Sequence, residues 1–190
     1  MASDEIILRR AVGDTLTPVS AILVGDNGNP VSLSGKTVTF QLTDADRVDA
    51  YAESATDVTK EPTQDFTATA NSISLSCVGH GLRNSQQVIL TTTGTLPTGL
   101  ATATRYFVRN AKPNTFSLAT QPDGNEITPT GAGTGTHSIA IVGHAQWAPT
   151  SGAVDEAGSF YGCFRVTSGG KTDTFPSDEH RLKIVIEERP

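Results

Sequence analysis

The stretch KTVTFQLT sets Val38, Phe40 and Leu42 against Thr37, Thr39 and Gln41. Side chains of a β-strand point alternately to its two faces, so this period of two predicts a strand with one apolar face. Phe160, Gly162, Phe164 and Val166 alternate with Tyr161, Cys163, Arg165 and Thr167 in the same way, and Leu182, Ile184 and Ile186 alternate with Lys183, Val185 and Glu187. Leu16–Val24 and Val31–Leu33 read as two further strands around GDNGNP, whose Asp, Asn and Gly tolerate positive φ and can close a hairpin. Between these outer runs lie six shorter strand candidates, Ser72–Cys77, Gln87–Thr93, Arg105–Arg109, Thr115–Ala119, Glu126–Pro129 and His137–Val142, separated by turns at Pro97, Gly99, Pro113, Asn114 and Asp123-Gly124. Helical turns are expected only around Asp44–Ala52 and Val154–Ala157.

Composition divides this all-strand chain in two. From Phe66 to Gly143 only six of 78 residues are charged, whereas the remaining 112 carry 28 charges. Seven of the fourteen residues from Thr91 to Thr104 are Thr. The shift occurs on entering and on leaving the segment, which is the pattern of one domain inserted into a loop of another. The expected organisation is a discontinuous outer domain of residues 1–65 plus 144–190 and an inserted domain of residues 66–143. The last outer piece is too short to bury a core alone, and joining the two pieces gives about six or seven strands. That number fits an immunoglobulin-like β-sandwich, with Phe40, Trp147, Phe160 and Phe164 as its core. Six short strands in the insert suggest a small β-barrel-like domain. The fold class is therefore all-β.

Charge and chemistry narrow the function. A net charge of −6 and a pI near 5.1 disfavour direct nucleic-acid binding and anionic membranes, both of which need clustered Lys and Arg. The start MASDEIILRR lacks the basic-then-apolar order of a secretory signal, so the chain is expected to be made in the cytoplasm. Cys77 and Cys163 fit no zinc or CxxC spacing and read as buried, idle thiols, with a disulfide left open. The glycines of TGAGTGTHS, Thr130–Ser138, invite comparison with a phosphate-binding loop. A dinucleotide fingerprint would require a third Gly where Thr136 stands and a helix afterwards, but HSIAIV reads as a strand. No GxSxG elbow or HExxH pair occurs, and His80, His137, His144 and His180 are dispersed. DADRVD opens like a calcium loop without its Gly and closing Glu. No catalytic, cofactor-binding or metal-binding residue is assigned, and no cofactor is expected. Tyr51, Tyr106, Phe107 and Trp147 are the aromatic candidates for stacking on a sugar, and Tyr106 with Asn110 is the candidate surface contact.

Two sets of motifs resemble known families. GDTLTPVSAILVGDNGNPVSLSGKTVTFQL, followed later by AQWAP, AGSFYGCFRV, TFPS and LKIVI, resembles the N-terminal immunoglobulin-like domain of phage baseplate upper proteins and related tail proteins. The positions that carry it include Asp26, Gly28, Pro30, Gly35, Phe40, Trp147, Asp155, Gly158, Phe175 and Pro176. The middle runs HGL, TLPTGL, YFV, NTFSL and GAGTGTH resemble a repeat of phage tail and fibre proteins, itself similar to the FCCH-like β-domain of ubiquitin-activating enzymes. Arg83 and Asn84 depart from the Gly-Asp type turn common there. These resemblances imply a non-enzymatic structural protein of a phage virion, in the tail, baseplate or neck, assembled with other virion proteins as a symmetric homo-oligomer or ring. A host-surface glycan-binding module and a capsid decoration protein are the alternatives.

Overall fold

A computed structural model describes residues 7–44, 50–52, 57–153, 156–176 and 182–188. The protein is all-β, with a closed six-stranded barrel and two open sheets. It divides into two compact units, residues 1–60 with 143–190 and residues 61–142.

The discontinuous unit has one sheet in the order β1 (Ile7–Ala11), β15 (Leu182–Glu187), β13 (Gly158–Ser168), β3 (Thr37–Asp44) and β4 (Ala50–Ala52), with β14 (Lys171–Phe175) also paired to β13. A second sheet runs β2 (Val19–Ile22), β12 (His144–Trp147) and β5 (Val58–Lys60). All pairings are antiparallel except β1 with β15, which is parallel. The alternation in KTVTFQLT does what period two requires: Val38, Phe40 and Leu42 are buried in one core with Phe164, Val166, Ile184 and Ile186. Val19, Val58, Ala145 and Trp147 from the smaller sheet complete that core. Phe40 stacks on Trp147 with ring centroids 4.2 Å apart and meets Phe164 edge-on at 4.9 Å, the offset and edge geometries that aromatic quadrupoles favour. Phe160 is only partly buried and packs against the margin of this core. Gly162 is a packing requirement, because a Cβ there would stand 2.5 Å from Phe40 Cζ.

In the second unit the ring order is β10 (Thr115–Ala119), β7 (Leu75–Ser76), β6 (Thr63–Ala68), β11 (His137–Ile141), β8 (Gln87–Thr92) and β9 (Tyr106–Lys112). Its core contains Phe66, Leu75, Val88, Leu90, Tyr106, Val108, Phe116, Leu118 and Ile139.

The insertion point has a simple geometric basis. β5 and β12 are antiparallel neighbours, with Val58 opposite Trp147, so the chain departs from and returns to adjacent strand ends. In the barrel the first and last strands, β6 and β11, are likewise antiparallel neighbours. An 82-residue unit thus occupies the place of a hairpin turn, as expected where chain ends lie close together.

Several expectations change. The composition boundary at Phe66 falls inside β6, which begins at Thr63. β6 supplies the barrel strand expected at Glu126–Pro129, where only an isolated bridge from Glu126 to Ala119 forms. Val31–Leu33 is no strand: the GDNGNP loop closes through a Val24–Pro30 bridge and a Val31 N–H to Leu23 carbonyl bond of 2.8 Å. Ala50–Ala52, expected in a helical turn, extends along β3 as β4, and residues 45–49 lie outside the described residues. Of the second expected turn, Val154–Ala157, Val154 and Asp155 lie outside the described residues and Glu156 and Ala157 are not helical; a 3-10 turn at Ser151–Ala153 comes just before it.

Candidate functional site

The run TGAGTGTHS builds one wall of a cleft of about 410 Å³, lined by Asp65–Ala68 and Ala132–His137. Its geometry is set by backbone pairing with the Thr-rich segment after β8. Thr134 N–H donates to the Thr95 carbonyl at 2.8 Å, Thr95 N–H donates back at 3.1 Å, and Thr93 N–H donates to the Thr136 carbonyl at 3.0 Å. Thr136 N–H donates to Thr93 Oγ1 at 2.9 Å. Gly133 has φ of +76° where its Cβ would stand 2.8 Å from His137 Nε2 and from Pro97 N, so the position requires glycine for both conformation and space.

His137 is buried beneath this loop. Nε2 lies 3.0 Å from the Ala132 carbonyl, which can only accept, so Nε2 carries the proton. Nδ1 then accepts from the Thr92 hydroxyl at 2.9 Å in the neutral ring. A hydroxyl on an imidazole is one half of an activated nucleophile. Thr92 Oγ1, however, also accepts the Gly94 amide at 3.2 Å, and the amides of Thr134 and Thr136 are engaged within the loop. A phosphate cradle or oxyanion hole needs such amides convergent and unengaged. The arrangement serves as a clamp in which one ring ties the loop at Ala132 to strand β8.

The other candidate residues separate. His80 is buried, accepts the Leu82 amide on Nδ1 at 2.9 Å and faces the Thr115 carbonyl with Nε2 at 3.2 Å, which fixes the GHGL turn. His144 is half-buried on β12, and desolvation lowers its pKa from the ordinary 6.5. His180 lies outside the described residues. Among the described residues no group of three or more His, Cys, Asp or Glu side chains could hold a metal. The DADRVD run is described only at Asp44, the last residue of β3. Cys77 and Cys163 are buried and are not joined in a disulfide. Burial, and secondarily the Asp65 charge, raise the Cys77 thiol above its ordinary 9.0, which keeps it protonated.

The expected surface contact is corrected. Tyr106 is 2% exposed, because it shares the inward face of β9 with Val108, and its hydroxyl accepts the Ala101 amide at 2.8 Å. Asn110 is exposed, but its position reflects a bulge: residues 110 and 111 together oppose Phe116 where the β9–β10 register shifts. Its φ of +46° is one that Asn tolerates better than most residues, and its side-chain amide donates to the Glu126 carboxylate. Trp147 is fully buried, Phe107 is half-buried on the opposite face of β9, and Tyr51 belongs to β4. No two of these aromatics form a stacked pair available to a sugar among the described residues.

Missed from the sequence was the margin of the open sheets at β1 and β2. Arg10 points inward beside a cleft of about 390 Å³ lined by residues of both strands and their connection. A lone Arg at an inward position of an alternating strand is the signal that marks it.

Comparison of the chain with family models, curated proteins and solved structures returned no match.

Proposed function

We propose that the chain is a non-enzymatic structural component of a phage virion, in the tail, baseplate or neck, whose immunoglobulin-like sandwich mediates subunit assembly and carries an inserted β-barrel spacer. The observation that carries this proposal is the strand order. With β2, β3, β4, β5, β12, β13 and β15 taken as strands B, C, C′, D, E, F and G, the two sheets read B-E-D and G-F-C-C′, an order that supports the reading as an immunoglobulin-like sandwich. The barrel then fills the D–E connection. A closed barrel has no strand edge to offer, whereas among the described residues both sheets of the sandwich end in unpaired edges, so assembly by strand edges falls to the sandwich. The motif resemblances to baseplate and tail proteins supply the virion context, and the self-satisfied Gly-rich loop supports a mechanical role for the insert. The glycan-binding alternative loses its motivating contact with the burial of Tyr106.

The test is quantitative mass spectrometry of purified particles. The protein is expected to copurify with intact virions at a fixed copy number that matches the symmetry of its layer. Its absence from washed, intact particles would overturn the proposal.

A further inference from the structure

Every barrel strand has a neighbour on each side, but at one rim the ladder between two of them parts. β6 and β11 pair from Thr63 with Ala140 as far as Phe66 with His137, and the two chains next meet where the Asn71 amide donates to the Pro129 carbonyl at 2.7 Å. Four residues, 67–70, span that interval on one side and seven, 130–136, on the other. Unequal lengths cannot keep register, so the glycine-rich side bows away from β6 and pairs with Thr93 and Thr95 instead. The interval is the cleft of about 410 Å³ between Asp65–Ala68 and Ala132–His137.

Main-chain groups turn into this cleft from both walls. Along a strand these groups alternate between its two sides. The Cys77 amide donates to the Asn114 carbonyl at 2.9 Å, so Cys77 faces β10 and Ser76 faces β6. Thr67, opposite Ser76, therefore bonds toward β7, and the next residue, Ala68, presents its N–H and C=O to the cleft. On the facing wall Thr134 and Thr136 bond toward Thr95 and Thr93. Gly133 and Gly135 alternate with them, are exposed, and make no hydrogen bond among the described residues.

A wall that offers N–H donors and C=O acceptors in turn complements another main chain in the extended conformation, and glycine lets that backbone approach closely. An anion would need convergent donors, whereas here donors and carbonyls are interspersed. A sugar would need an open aromatic face, and the rings on the walls, Phe66 and His137, are buried. Asp65 is the one carboxylate on the walls, and no Lys or Arg stands there. It is exposed and accepts the Ser138 hydroxyl on Oδ1 at 2.7 Å, which leaves a carboxylate with lone pairs for a further donor. The charge that complements the cleft is a Lys or Arg on the incoming segment.

We infer that this cleft binds an extended segment of a protein other than this chain, added as a short strand along Gly133 and Gly135 with a basic side chain on Asp65. Every strand among the described residues is itself held in a ladder, so none is free to enter the cleft of another copy. The inference gives the barrel a partner of its own. It rests on the assembly role proposed above only for the setting in which that partner is met, and its test is made on the isolated protein.

The probe is an acetylated, amidated heptapeptide of alternating Thr and Val with Lys at its centre, titrated into the isotope-labelled full chain and followed by amide NMR. Main-chain recognition tolerates sequence, so a Kd of about 1 mM or tighter is expected. The Gly133 and Gly135 amides should shift and gain exchange protection while those of β3 and β13 stay put. N-methylation of one alternate set of peptide residues is expected to abolish binding and of the other set to spare it, because a strand bonds its neighbour through every second residue. Asp65→Asn keeps an acceptor for Ser138 and leaves the fold intact. It is expected to weaken binding about threefold and to remove the preference for Lys over Glu at the peptide centre. No change at Gly133 and Gly135 up to about 10 mM peptide, binding indifferent to both methylations, or a preference for Lys that survives Asp65→Asn would overturn the inference. Protection of the same two amides with rising concentration of the chain alone would place a second copy in the cleft and overturn the partner named here. Peptide binding by a chain absent from virions would overturn the assembly role and leave the cleft's chemistry standing.

Discussion

The two units solve the strand-edge problem in opposite ways. The barrel closes β6–β11 on themselves, so every strand has neighbours on both sides, and its polar core histidines are held by hydrogen bonds within the unit. Among the described residues the sandwich leaves open edges on both sheets, and it buries a denser aromatic centre, Phe40 between Trp147 and Phe164. Charge follows the same division, with the insert nearly devoid of it and the outer segments acidic. A closed, charge-poor unit suits a spacer, and an open-edged one suits assembly. Stability in the first rests on ring closure and loop locking, and in the second on a few large side chains.

Truncating the aromatic centre should therefore separate the units most strongly. Trp147→Ala is expected to destabilise the sandwich by about 3–5 kcal/mol, the range for large aromatic deletions, while hydrogen exchange in the barrel strands stays slow. Trp147→Phe should cost much less, because Nε1 of Trp147 is buried without a partner among the described residues and the substitution removes that unpaired donor along with part of the ring. Equal losses in both units would refute this division of the cores.

The converse experiment strikes the loop lock. Gly133→Ala should cost about 1–3 kcal/mol from the left-handed backbone and the crowding against Pro97 and His137. The readout is loss of amide protection at Thr93, Thr95, Thr134 and Thr136 with the β3–β13 ladder unchanged. Tyr106→Phe comes next, at about 1 kcal/mol for the bond from the Ala101 amide, measured by denaturant unfolding. Wild-type stability after this change would mean that water replaces the hydroxyl.

A pH titration gives a smaller, sandwich-specific effect. His144 has a folded-state pKa depressed below 6.5 by desolvation, so the unfolded chain binds its proton first as pH falls. The contribution is intact above 6.5 and declines as pH drops from there through the folded value. His144→Gln should flatten the stability profile below pH 6.5, and an unchanged slope would contradict this assignment. The smallest effect is expected at the exposed Arg109–Asp123 pair, 2.8 Å apart, where Arg109→Ala should alter barrel stability by less than about 1 kcal/mol.

The elements legible in the sequence are those whose alternation is strict and whose apolar face is buried. β3, β13 and β15 have that pattern, and their inward sets match the sandwich core. β6 was hidden because TQDFTA buries a single large side chain, Phe66, and its other positions are polar as suits an outer barrel wall. β4 was hidden because it lies at the end of the Asp44–Ala52 run, where a helical turn was expected. Tyr106 misled because RYFVR has an aromatic on each face of the strand; period two does not tell which face is the barrel interior, and only ring closure decides it. The Thr92–His137–Ala132 clamp joins residues up to 45 positions apart, a pairing set by the β8–β11 ladder and invisible to local pattern.

The proposal that the open-edged sandwich assembles while a closed barrel rides in its β5–β12 connection is tested most directly by a cryo-EM reconstruction of the purified virion with this chain placed in the density. The account predicts a symmetric ring in which neighbouring copies meet through sandwich edges, with the six-stranded barrel outside those contacts. A particle lacking the chain, or copies joined through the barrels with the sandwich edges solvated, would contradict it.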